Sequence, residues 1–85
     1  MADPVSWKVV EPGWRVVSSD GQSIGTVHEV LGDLEADIFD GLNVNTGRLL
    51  ERRYIPSEQV GEIEEGAVHL TIPADAVSEL DPPVS

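Results

Sequence analysis

Trp14-Arg15-Val16-Val17-Ser18-Ser19-Asp20-Gly21-Gln22-Ser23-Ile24-Gly25-Thr26-Val27-His28-Glu29-Val30-Leu31 is the stretch whose reading decides the fold. Two β-rich runs flank a polar turn, Ser19 to Gln22. Asp-Gly between apolar runs is a hairpin signal, because Gly takes positive φ without a Cβ penalty and Asp tolerates it. The second run carries Ile24, Val27 and Val30 at a spacing of three. A regular strand alternates faces at every residue and would not put all three on one side. Gly25 offers the remedy, a β-bulge that inserts one residue and bends the strand. A hairpin with a bent second strand can seed a small barrel.

Working outward, residues 1–12 read as an N-terminal arm. Trp7 is expected to cover the end of the barrel, and Glu11-Pro12-Gly13 breaks any regular element. On the other side, residues 32–37 form an acidic loop. A third strand is expected over residues 38–45 and a fourth over 49–55, joined by a turn at Thr46-Gly47. Taking those two as the centre of a two-residue turn sets the register. Val44 then faces Leu49, Leu42 faces Glu51, Asp40 faces Arg53, Ile38 faces Ile55, and Phe39 faces Tyr54 on the opposite side. The Asp40–Arg53 pair would add about 0.2–1 kcal/mol.

Pro56 ends the fourth strand, and Ser57 is placed to cap a short turn. A fifth strand follows over 60–63 and a sixth over 67–72, with Val68, Leu70 and Ile72 pointing inward. Pro73 opens a helix over 74–80, where Ala76, Val77 and Leu80 share a face. Asp81-Pro82-Pro83 stops it, leaving 81–85 as a tail. The pattern predicts an all-β fold: a small closed antiparallel β-barrel of five to six strands over residues 13–80, with a short C-terminal helix.

Composition narrows the function classes. The 85 residues suit one domain, which can bury about 60–65% of its unfolded surface. There is no cysteine, so disulfides and thiolate chemistry are excluded. Sixteen acidic residues against five basic ones give a net charge of −11. Such a polyanion gains nothing from counterion release on nucleic acid, so direct nucleic-acid binding is not expected. No apolar run approaches the ~18–20 residues of a membrane span, and the N-terminus lacks the features of a signal peptide. The expectation is a cytoplasmic protein without membrane insertion.

Residues 13–80 resemble the PRC-barrel family. The resemblance is carried by the run from Val16 to Val30, by Arg53-Tyr54-Ile55-Pro56-Ser57-Glu58-Gln59-Val60, and by the Gly turn and alternating strand from Gly66 to Ile72. The family includes the cytoplasmic domain of a photosynthetic reaction-centre subunit, the C-terminal domain of a ribosome maturation factor, and stand-alone proteins. The resemblance implies a small antiparallel barrel and a non-enzymatic assembly or docking module, often self-associating, with no shared catalytic motif.

Motifs that would carry chemistry are few. An EF-hand counted from Asp33 would need Gly and Glu where Ile38 and Val44 stand. His28 and His69 lack the partners of a zinc site. The serines sit in turns without a nucleophile elbow. No catalytic residue, cofactor or metal ligand is therefore assigned. A candidate partner-binding strip remains: Phe39, Arg48, Leu50, Arg52 and Tyr54, an apolar and aromatic run flanked by arginine. Its expected partner is another protein, with a homodimer favoured and the acidic loop of a second copy as the occupant. The alternatives are a docking subunit tied to ribosome or RNA maturation, contacting protein rather than RNA, and a binder of a small ligand or divalent ion.

Overall fold

A computed structural model describes residues 6–46 and 52–77. It contains β1 (Arg15–Val17), β2 (Ser23–Asp33), β3 (Ile38–Asn45), β4 (Arg52–Pro56), β5 (Val60–Glu64), β6 (Ala67–Leu70) and α1 (Ala74–Val77). Two short 3₁₀ turns, Trp7–Val9 and Ser57–Gln59, complete the order. Pro56 stands at the cap of the second, and no side chain caps it, so Ser57 does not take the role expected of it.

The β1–β2 hairpin forms where the Asp-Gly pair stands. The Gly21 amide donates to the Ser18 carbonyl, the Ser18 amide to the Gln22 carbonyl, and Gly21 adopts φ 83°. That dihedral is costly for any side chain with a Cβ. The spacing of three in β2 is absorbed by two bulges. Val16 pairs with Gly25 and Val17 with Ser23, leaving Ile24 as the extra residue beside Gly25. Val27 pairs with Val44 and Glu29 with Asn43, leaving His28 as a second. Ile24, Val27 and Val30 thereby all reach the core. Gly25 is also a point of close approach, since a Cβ there would lie 1.7 Å from the Asn45 carbonyl oxygen.

All six strands form one sheet, in the order β4-β3-β2-β1-β6-β5. The all-β expectation holds, but two parts of the predicted architecture do not. First, the sheet is mixed: β1 runs parallel to β6, with Val16 opposite Val68. A parallel pair needs a long crossover, and β2 to β5 supply it. Second, the sheet is not closed into a barrel. β4 and β5 stand at opposite edges, yet only the three residues Ser57–Gln59 separate them in sequence. Four Cα steps reach about 14 Å at full extension, so the sheet curls until its edges approach at one corner. No ladder joins them among the described residues. Pro56 brings no N–H to such a ladder, and Gly61 and Glu62 bulge opposite His69.

The core lies inside this curl. Val16, Val27, Leu42, Val44, Ile55 and Val68 are all essentially sealed from water, and Val77 of α1 is buried in the same cluster. The turn at residues 18–22 is stitched to the segment entering α1. The Ser19 amide donates to the Ile72 carbonyl at 2.8 Å.

Candidate interaction surface

The predicted β3–β4 register is corrected by the structure. Leu42 pairs with Ile55, Asn43 with Tyr54, Val44 with Arg53 and Asn45 with Arg52. The connection is thus six residues long, not two. Asp40 does not face Arg53, and Ile38 does not face Ile55. The turn chemistry of Thr46-Gly47 suggested a tight hairpin. Pairing Leu42 with Ile55 instead seals both in the core, a larger gain than one surface ion pair.

The predicted strip is divided by this arrangement. Tyr54 and Arg52 lie on the outer face of the sheet, together with Asn43 and Asn45. Phe39 does not join them. Leu31 pairs with Gly41 but Gly32 pairs with Phe39, so Asp40 is an extra residue that turns Phe39 over to the core face. There Phe39 stacks on Trp7, with ring centroids 5.1 Å apart and planes 15° from parallel. Arg48 and Leu50 lie outside the described residues. Trp7 packs against the core, and its part of the arm forms a 3₁₀ turn.

On the outer face the polar side chains hold one another. Asn43 is almost fully buried there, and its amide donates to Glu29 Oε1 at 3.3 Å. Arg52 Nε donates to Asn45 Oδ1 at 2.9 Å. The Tyr54 hydroxyl donates to the Asp40 carbonyl at 2.8 Å. Gly41 makes that last bond possible, because a Cβ at this position would sit 2.8 Å from the Tyr54 oxygen. Burial pushes the Tyr54 phenol above its ordinary pKa, and the carboxylates of Asp40 and Glu58 add to the effect. On the far side of the molecule, the Ser18 hydroxyl is the main cause of a lowered Asp20 pKa. Desolvation opposes it, and nearby backbone amides add smaller effects in the lowering direction.

The acidic loop is spoken for locally. Asp33 Oδ1 accepts from the amides of Glu35, at 3.0 Å, and Ala36, at 3.2 Å, which ties the tip into a turn. Asp37 takes a positive φ of 55° and accepts from Trp7 Nε1 at 3.1 Å, with Lys8 Nζ 3.6 Å away. Among the described residues no group of three potential metal ligands converges. His28 stands exposed at its bulge, and His69 Nε2 lies 3.1 Å from Glu64 Oε1.

Two residues that sequence reasoning passed over stand out at this tip. Leu34 is 60% exposed and Ile38 is 55% exposed. Leu34 also borders a cavity of about 170 Å³, shared with Trp7, Lys8, Val10, Val30 and Gly32. The signal available in the sequence was a lone leucine inside the acidic run Asp33-Leu34-Glu35-Ala36-Asp37, where solubility alone would favour a polar residue.

Among the described residues, no helix is long and apolar enough to cross a membrane. A comparison with curated proteins gives no match. A family model described as an uncharacterized protein conserved in bacteria (DUF2171) matches residues 10–78, which spans every strand and the helix, and the chain belongs to that family.

Proposed function

We propose that the chain is a non-enzymatic docking module that associates with a second copy of itself. The observation that carries this reading is the tip between β2 and β3. Leu34 and Ile38 are two of the three exposed large apolar residues among the described residues, and they stand at the start of one four-residue turn and just past its end. Isolated exposed apolar residues are ordinary, but two within five positions on a backbone-stapled turn are what contact surfaces use. The sheet's outer face supplies Tyr54 and Arg52, residue types enriched at the centres of interfaces. The PRC-barrel resemblance points the same way, toward assembly and not catalysis.

Light scattering over a range of concentrations tests this. The native chain is expected to show a mass above the monomer that rises with concentration. A variant combining Leu34→Ser with Ile38→Ser is expected to return to the monomer while keeping its β-type circular dichroism. A native chain that stays monomeric at millimolar concentration would end the reading.

A further inference from the structure

The outer face of β3 and β4 carries opposite charge at its two ends. One end is the tip, with Asp33, Glu35 and Asp37 close to Ile38. The other end is Arg52, which is exposed and pairs with Asn45. Ile38 and Asn45 are the first and last residues of β3, seven steps apart. At about 3.3 Å per residue the two ends lie roughly 23 Å from each other. The Debye length at physiological salt is about 8 Å, so within one copy these charges do not neutralise each other. Between them lies Tyr54, folded flat over Gly41 and fixed to the Asp40 carbonyl.

We infer that two copies pair through these outer faces about a two-fold axis, with their β3 strands running in opposite directions. The acidic tip of each copy then meets Arg52 of the other, and the Tyr54 rings lie near the axis. This pairing rests on the docking reading above and deepens it by stating which residues meet. The geometry accounts for both features at once. Reversing one strand over the other is the arrangement that brings unlike ends together at both extremities and places Ile38 beside the aliphatic stem of the partner's Arg52. A two-fold arrangement also closes, so it yields a dimer and not a filament.

The size of the face predicts the strength. The eight residues of β3, flanked by β4 and by the facing part of β2, span about 26 Å by 14 Å. Allowing for surface relief, both copies together would bury on the order of 1,000 Å², the lower end for a specific interface. The dimer is therefore expected to be weak, to exchange readily, and to loosen as salt is raised.

A charge swap tests the pairing, using the full chain and sedimentation at low salt. Arg52→Glu and Glu35→Arg are made separately. Both residues are exposed, and the Glu35 side chain takes no part in the Asp33 turn. Each single variant sets like charges together at both ends of its dimer, and each is expected to self-associate at least about tenfold more weakly than the native chain. Mixing the two restores unlike charges at both ends, and a mixed dimer of native-like affinity is expected. If the native chain dimerises but the variants alone dimerise equally well, or their mixture fails to recover, this pairing is overturned and the docking reading stands. A native chain that remains monomeric overturns both.

Discussion

The turn at residues 18–22 and the tip at residues 34–37 each carry an aspartate that accepts hydrogen bonds from its own turn, yet they stand at opposite ends of β2. At the first, the Asp20 carboxylate accepts from the Ser18 hydroxyl, the Gln22 amide donates to the same Ser18 oxygen, and the Ser19 amide reaches the Ile72 carbonyl. The turn is thereby sewn to the segment that enters α1. At the second, Asp33 receives two amides from its own turn, Glu35 and Ala36, and pairs with Ile38 across the β2–β3 hairpin that the turn closes. Asp37, through Trp7 and Lys8, tethers that tip to the N-terminal segment. The same hydrogen-bond chemistry makes a joint in one place and a projecting knob in the other. What separates the two is the neighbouring chain, present over the first turn and absent over Leu34 and Ile38.

That contrast can be broken on either side. The largest effect is expected on the sewn side. Gly25→Val, just past the first turn, places a side chain where the β3 backbone already lies. A loss of about 3 kcal/mol or more is expected in urea unfolding, at the top of the range for overpacking. A loss below about 1 kcal/mol would show that β3 does not pass so close.

The tether of the tip comes next. Trp7→Ala removes the stack on Phe39 and the bond to Asp37. For a half-buried tryptophan this should cost about 2 kcal/mol, with a gain of hydrogen exchange confined to residues 32–39. Exchange that rises evenly over the whole sheet would mean that Trp7 holds the core and not the tip.

Tyr54→Phe, on the outer face beside that tip, removes one exposed hydrogen bond and should cost about 1 kcal/mol or less. It is the only tyrosine, so alkaline titration of tyrosinate absorbance reads it alone. Because the fold raises its pKa, the stability it contributes is present below the pKa of the unfolded chain, near 10, and is lost as pH rises through the folded value. Titration at or below the free-tyrosine value would contradict the burial of the ring.

Asp20 has the opposite sign. Its lowered pKa means that its contribution is present above the unfolded carboxylate value, near 3.9, and is lost as pH falls through the lower folded value. Asp20→Asn should therefore lower the melting temperature at neutral pH, and its difference from the native chain should shrink as pH drops below about 4. A gap that stays constant with pH would remove the ionised carboxylate from the account. The smallest stability effect belongs to Leu34→Ser, at most about 0.5 kcal/mol, since an exposed side chain has little to lose.

Much of the strand pattern was legible residue by residue. The Asp20-Gly21 turn, the insertion beside Gly25 and the end of β4 at Pro56 each follow from backbone chemistry that acts within two or three positions. The bulge at Asp40 was not legible, and it moved Phe39 from the expected strip to the core. An extra residue in β3 announces itself only when the partner strand is in place. The β3–β4 register failed for a related reason: a local turn preference at Thr46-Gly47 was weighed against nothing, whereas the folded chain weighs it against sealing Ile55 beside Leu42. Leu34 and Ile38 could be seen in the sequence as apolar residues, but not as exposed ones.

By itself, then, the order of side chains determined that this polypeptide would be built of bent antiparallel hairpins, strongly acidic and without thiol chemistry, because turn dihedrals, missing donors and charge are properties of single residues. Only the tertiary structure decided that β1 would lie parallel to β6 and that the sheet would curl to a corner without closing. Those outcomes depend on how strands some fifty residues apart compete for the same edge, and on Pro56 meeting that edge with no N–H to offer.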